Sequence, residues 1–319
     1  MDRSTRPAGA ASPVTEQRNP RTVDIDVLPT LEVLRLLNYE DASVPVAVEK
    51  VLPVLADLVD AAAGRVRRGG RLHYFGAGTS GRIAVLDAAE LPPTFGVDRN
   101  FATAHLAGGE EAIRSAVENA EDDRGAGRGA ASTLSSEDIA IGVSASGSAP
   151  YVAAALEHAG ELGALTALVS SNPAAALGQL VDYHLAADTG PEALTGSTRL
   201  KAGTAAKLML NGLSTALMVR LGRTYSNMMV DMVATNQKLR HRLVRILVQA
   251  TGADEQDCRR ALAEAGDDVK VALVMMLSSS TAPAAKQALL GAGGQARAAL
   301  AALGSVPAGS AGGSMAAKA

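Results

Sequence analysis

Apolar residues recur at helical spacing near the start of the chain, at Leu31, Leu34 and Leu37 and then from Val44 to Val66, which predicts a short helix and a longer one closed by Gly69-Gly70. The pattern then changes. Arg71-Leu-His-Tyr-Phe75 is a compact apolar run flanked by glycine, and Gly76-Ala-Gly-Thr-Ser-Gly81 leads from it into a helical pattern over Arg82 to Ala89. Strand, tight loop and helix return in Asp138 to Val143, Ser144-Ala-Ser-Gly-Ser148 and a helix opening at Pro150, a residue suited to a first turn. Ala164 to Val169 reads as a third strand running into Ser170-Ser-Asn-Pro173, and Phe101 to Leu106 and Val181 to Ala186 as two more. Strands alternating with helices predict an α/β fold, a largely parallel sheet with helices on both faces. Such sheets bind ligands at the carboxyl ends of their strands, so the glycine- and serine-rich loops are expected to gather on one edge.

Beyond the sheet, Leu200, Ala206, Leu210, Leu213, Leu217 and Leu221 predict a long helix over Arg199 to Leu221, and another follows over Thr235 to Ala250. Thr251-Gly-Ala-Asp254 reads as a boundary with Asp254 as N-cap. Short helices over Glu255 to Ala265, Val269 to Leu277 and Ala282 to Leu290 then make a small three-helix module. The expected organisation is a flexible arm over 1–25, too poor in large apolar groups to offset ordering entropy, then a sheet domain with N-terminal helices over 26–250. The helical module occupies 251–291, and a disordered Ala/Gly-rich tail 292–319.

Of 319 residues 47% are hydrophobic and 20% charged, with a formal net charge of -3, so no global field draws the chain to nucleic acid and any anion must be held by local groups. A single cysteine, Cys258, leaves no intramolecular disulfide and no Cys/His cluster for zinc. Met1 to Arg21 lacks the apolar core of a secretory signal, and no run is long and apolar enough to span a membrane, which predicts a cytoplasmic protein.

The first candidate chemistry lies in the Gly76 loop. Gly76, Gly78 and Gly81 permit close backbone approach, and Thr79 and Ser80 bring hydroxyls and free amides to a helix N-terminus, where the dipole favours an anion such as phosphate. The spacing matches the G-x-G-x-x-G dinucleotide fingerprint, without a ribose-binding acid after the next strand. Ser144, Ser146 and Ser148 offer hydroxyls at the neighbouring strand end, for phosphate or sugar oxygens or as caps of the helix at Pro150. Glu90 precedes Leu91-Pro-Pro93, whose prolines are expected to stop the helix and fix this acid near the phosphate loop. Glu118, Glu121, Asp122 and Asp123 supply a second acid, and spacing alone does not choose among them. Thr195-Gly-Ser-Thr-Arg-Leu-Lys-Ala-Gly-Thr204 brings Arg199 and Lys201 into a first helical turn against the dipole, which requires a bound anion or an acidic partner such as Glu192. We assign Lys201 to the anion.

The segments Gly76 to Gly96, Ala116-Val-Glu-Asn-Ala-Glu-Asp-Asp123 and Thr195 to Thr204 closely resemble the N-acetylmuramic acid 6-phosphate etherase family. The likeness extends from about Leu31 through Leu239, including Asn38-Tyr-Glu-Asp41, Ser171-Asn-Pro173 and Met229-Val-Asp-Met-Val-Ala-Thr-Asn236. This resemblance implies a sugar isomerase (SIS) fold, a homodimer, and no metal or organic cofactor. The implied reaction is cleavage of the lactyl ether of N-acetylmuramic acid 6-phosphate to N-acetylglucosamine 6-phosphate and D-lactate, a step of cell-wall amino sugar recycling. It further implies that Glu90 is the acid assisting lactate departure and that Glu121, rather than Glu118, is the second catalytic glutamate. With Glu121 as the base at C2, the donor Glu90 is expected to have the raised pKa. Gly78, Thr79, Ser80, Ser144, Ser146, Ser148 and Lys201 are the expected substrate contacts.

The chain departs from the family at Ser148-Ala149, where Arg-Thr is common, and at Asn119, where glycine is common. The first variant resembles the glucokinase regulatory proteins, which bind sugar phosphates without catalysis. A sugar-phosphate sensor is therefore the rival class and an aldose-ketose isomerase a third; the presence of both glutamates favours the lyase.

Overall fold

The computed structural model describes residues 14–232 and 237–305. Three helices come first, Thr30–Asp41 (α1), Val44–Glu49 (α2) and Leu52–Arg67 (α3). The periodic stretch from Val44 is thus broken at Lys50-Val51, where Pro53 enters the first turn of α3 and has no N–H to carry the ladder through. Strands and helices then alternate: Leu72–Gly76 (β1), Gly78–Phe95 (α4), Ala102–Leu106 (β2), Glu111–Arg114 (α5), Arg124–Ala130 (α6), Ile139–Val143 (β3), Pro150–Glu161 (α7), Leu165–Ser170 (β4), Tyr183–Ala186 (β5) and Lys201–Arg220 (α8).

The five strands are parallel, in the order β2-β1-β3-β4-β5. Leu72 of β1 stands opposite Ala102 of β2 on one side and Ile139 of β3 on the other. The chain steps outward from β1 to β2 and returns across β1 to β3, so the connections diverge between β1 and β3 and leave a crevice there. Every residue of β3 and β4 is buried, which is why these segments read as unbroken apolar runs. Phe75, Ala140 and Leu168 of the sheet pack with Tyr151, Val152 and Leu156 of α7. Neighbouring Tyr74 alternates to the other face, where its hydroxyl donates to Asp87 of α4 at 2.8 Å. Asn211 and Ser214 of α8 donate to the same carboxylate at 2.6 and 3.0 Å, fastening both helices to β1. Burial lifts the Asp87 carboxyl above its usual range, and these three donors oppose the shift.

Internal contacts divide the chain into two compact units, Met1–Glu90 with Arg99–Leu217, and Leu91–Asp98 with Met218–Ala319. The second holds a short hairpin, Thr224–Tyr225 (β6) with Met228–Met229 (β7), and then Gln237–Thr251 (α9), Glu255–Glu264 (α10), Val269–Ser278 (α11), Ala282–Gly291 (α12) and Ala296–Ala302 (α13). Its core joins Leu243 and Leu247 of α9 to Leu262, Leu273, Leu289 and Leu300, so α9, ahead of the expected start at 251, packs within this unit. Helix α13 falls within the expected Ala/Gly-rich tail, over the Arg297 to Leu303 stretch that reads as a helix candidate. Ala296, Ala299 and Leu300 share one helical face and are buried, small side chains letting the helix approach closely.

The N-terminal arm also differs from expectation. Residues 1–13, like 306–319, lie outside the described residues, but Thr15, Asn19 and Thr22 are buried. The sequence gives no apolar signal here because polar side chains do the packing. Thr22 Oγ1 donates to the carbonyl of Ala193 at 2.8 Å and Asn19 Nδ2 to Glu40 at 2.8 Å. No described helix is long and apolar enough to cross a membrane.

Candidate functional site

The loop after β1 is tight because Gly81 lies against it: a Cβ there would meet Leu106 Cδ1 at 2.2 Å and the Gly76 carbonyl oxygen at 2.7 Å. Only glycine lets α4 start this close to the strand end. The opening amides of the helix have no helical acceptors, and Thr79 and Ser80 add hydroxyls to them.

A cavity of about 290 Å³ opens at this helix start. Gly78, Thr79 and Ser80 of α4, Ser144 and Ser146 after β3, Glu121, Thr198, and Thr15 and Glu16 of the N-terminal segment line it. It lies at the carboxyl ends of adjacent strands β1 and β3, where the connections diverge. The serine loop is braced from the β4 side. Ser144 N donates to the Val169 carbonyl at 3.0 Å, Ser171 N to that of Ala145 at 2.9 Å, and Asn172 Nδ2 to that of Ser146 at 2.9 Å. Ser148 is exposed and lines a different cavity with Asn172, Leu177 and Leu180. Its link to the first is the 2.7 Å hydrogen bond between its Oγ and that of Ser146.

Glu121 sits in a short 3₁₀ turn, Ala120–Asp122, entered through Asn119 at φ 61°. That left-handed conformation is tolerated by asparagine better than by other residues with a side chain, which accounts for Asn119 at a position where glycine is common. Glu118 faces another cavity beside Tyr151, and Asp123 caps α6 by accepting from Ala126 N at 2.8 Å. Of the acids from Glu118 to Asp123, Glu121 is thus the one in the wall of the 290 Å³ cavity. Burial first, and then the neighbouring Asp122 charge, hold its carboxyl above the usual range. The expectation of a raised carboxyl belonged to Glu90; the cavity acid held high is Glu121.

Besides Ser148, two expected site residues stand elsewhere. Lys201 is buried at the start of α8 with its Nζ 2.8 Å from Glu40 Oε2, and it does not line the cavity. Arg21 Nη2 donates to the same oxygen at 2.9 Å. The Arg21 hydrogen bond, with those of Lys201 and Asn19, pulls the Glu40 carboxyl down to about 2 against the opposing effect of burial. Glu192 accepts from the opening amides of α8, Lys201 N at 3.0 Å and Ala202 N at 2.9 Å. A lysine in a first turn has here an acidic partner in place of an anion, because a buried ammonium requires one. Arg199 is exposed.

Glu90 lies twelve residues beyond Gly78 on α4, about 18 Å along the axis at a helical rise of about 1.5 Å per residue, and is exposed. The prolines after it do not stop the helix, which runs on to Phe95 with Gly96 N bonded to the Pro92 carbonyl at 2.9 Å. Prolyl φ is itself helical, so the helix continues with only the two donors of Pro92 and Pro93 missing from its ladder.

Thr15, Glu16 and Thr198 are cavity residues that sequence reading did not single out. Thr198 lay inside a quoted motif, whereas Thr15 and Glu16 lay in the expected arm and carried no signal.

The family model described as the glucokinase regulatory protein N-terminal SIS domain matches residues 54–160. An N-acetylmuramic acid 6-phosphate etherase of Thermobifida fusca is 56% identical over 274 residues, covering 86% of this chain and 90% of its own length. One of Rhizobium rhizogenes is 48% identical over 291 residues, covering 91% and 95%. Among solved structures, a phosphoheptose isomerase from Francisella tularensis is similar with a TM-score of 0.48 and 19% identity, covering 60% of this chain and 100% of that one.

Proposed function

The chain belongs to the N-acetylmuramic acid 6-phosphate etherase family, and from that membership we propose that it cleaves the D-lactyl ether of N-acetylmuramic acid 6-phosphate, yielding N-acetylglucosamine 6-phosphate and D-lactate. The observation that carries this reading is the cavity in which a helix N-terminus, the hydroxyls of Thr79, Ser80, Ser144 and Ser146, and the carboxylate of Glu121 converge.

In this mechanism the phosphate rests on the opening amides of α4 and the serine hydroxyls. With the sugar ring open, the C1 aldehyde acidifies the C2 proton. Glu121 removes it, the C3–O bond breaks, and lactate leaves with a proton from a general acid. Water then adds at C3 of the conjugated intermediate, giving up a proton to the carboxylate that protonated lactate, while Glu121 returns its proton to C2. A raised carboxyl makes Glu121 the stronger base once it is ionised.

Glu90 is the general acid in this reading. Its position about 18 Å from the phosphate loop along α4 puts it out of reach of its own cavity, so the acid comes from a second copy in a homodimer, as the partner's Glu90. Cys258, a free buried thiol, fits a reducing compartment such as the cytoplasm. The test is release of D-lactate from N-acetylmuramic acid 6-phosphate by the purified protein, with deuterium entering C2 in heavy water. Tight binding of the sugar phosphate without lactate release contradicts the proposal and favours a sensor.

A further inference from the structure

Glu40, the buried end of the Lys201 ion pair, is also the anchor of the N-terminal segment. Asn19 Nδ2 donates both to Glu40 Oε2 at 2.8 Å and to the Pro191 carbonyl at 3.3 Å. Thr22 Oγ1 donates to the Ala193 carbonyl at 2.8 Å, and Gly196 N to the Thr15 carbonyl at 3.2 Å. Residues 15–22 are therefore stitched to the turn ahead of α8, and their leading end, Thr15 and Glu16, forms part of the cavity wall. The Glu16 carboxylate rests on Gly196, where a Cβ would come within 3.2 Å of Oε2. Thr15 Oγ1 is buried and, among the described residues, has no hydrogen-bond partner. A buried hydroxyl in that state is costly, and one in the wall of a polar cavity finds its partner in what the cavity holds.

We propose that Thr15 and Glu16, in the wall of the same cavity as the α4 start, bind the uncharged, hydroxyl-bearing chain of the sugar phosphate. The inference rests on the sugar-phosphate reading given above. A carboxylate accepts hydrogen bonds, donates none when ionised, and repels phosphate, so Glu16 selects neutral donors, which sugar hydroxyls are. The two parts of the wall then have different preferences, anion at α4 and polyol at Glu16, and together they set the direction in which a six-carbon ligand lies. Lys201 and Glu40 are positioning residues: they hold the segment without touching the ligand.

Calorimetric titration of the full chain with two probes, inorganic phosphate and N-acetylglucosamine 6-phosphate, separates these parts. Glu16→Gln is expected to weaken the sugar phosphate about tenfold, the size of a lost charged hydrogen bond, while phosphate binds as before or more tightly. Thr15→Val, nearly isosteric, is expected to show a smaller loss of the same selectivity. Equal weakening of both probes, or no weakening of the sugar phosphate, overturns the proposal. Lactate release by the unmodified protein is read separately. Selective loss in a protein that releases no lactate leaves the polyol wall standing and removes the lyase, whereas an unmodified protein that binds neither probe removes both.

Discussion

Helices α4 and α8 both begin behind a glycine hinge and a pair of hydroxyl residues, Gly78-Thr-Ser-Gly81 in one and Gly196-Ser-Thr198 in the other. At α8 the opening amides are taken by Glu192 and the lysine of the first turn by Glu40, so its polar groups are spent inside the protein. At α4 the corresponding residues border a cavity. The contrast shows that loop composition does not decide whether a helix N-terminus is left free for a ligand; what decides it is whether another part of the chain has already satisfied its donors. The α8 start still serves the site, through Thr198 in the cavity wall and through the anchored segment that carries Glu16.

Breaking the open side of this contrast has the largest expected effect. Glu121→Gln removes the base, and a drop in kcat of about 10² to 10⁴, with loss of solvent deuterium exchange at C2, is expected. Persistent exchange would show that another group takes the proton. On the closed side, Lys201→Met breaks a buried pair, and urea titration is expected to show a loss of about 3–5 kcal/mol. Glu40 sharpens that comparison. Its folded pKa of about 2 lies below its ordinary 4.5, so its stabilisation is full above the ordinary value and is lost as pH falls from there toward 2. The contribution of that pair to acid stability is expected to vanish in Glu40→Gln, as seen by comparing melting curves over this range.

Activity follows a different pH limb. Glu121 works ionised and its carboxyl is raised, so kcat/KM is expected to fall with acidification through a pKa above the ordinary 4.5. A pH–rate profile whose acid limb lies at or below 4.5 would place the base elsewhere. The smallest effect is expected from Ser80→Ala, which removes one neutral hydrogen bond of the cradle. KM is expected to rise about two- to tenfold with kcat nearly unchanged, measured by steady-state kinetics.

The five strands and the glycine-hinged, hydroxyl-bearing start of α4 were legible because their signals are local: apolar runs bounded by glycine, and hydroxyls following a glycine. Residues whose roles depend on distant partners were not. Lys201 and Glu40 are 161 positions apart, and Thr22 reaches Ala193 across 171, so neither contact leaves a periodic trace in the sequence. The segment around Thr15 buries polar side chains in place of apolar ones, which reads as an arm by composition. Helix α13 was legible as a helical stretch over Arg297 to Leu303 but not as a packed element, since alanine-rich sequence looks the same whether it packs or not. Glu90 was expected just past a helix over Arg82 to Ala89 and close to the loop, but α4 carries it twelve residues beyond Gly78, and the helical rise sets that separation.

The central claim, that one cavity uses Glu121 of one copy and the partner's Glu90, is tested most directly by mixing two inactive variants. Glu90→Gln and Glu121→Gln proteins, unfolded and refolded together in equal amounts, form mixed dimers in which one site has both changes and the other has neither. The account predicts recovery of D-lactate release to about a quarter of the unmodified rate, given random pairing of a symmetric dimer. If each cavity instead draws both glutamates from its own chain, every site in the mixture carries one change, and an inactive mixture would contradict the account.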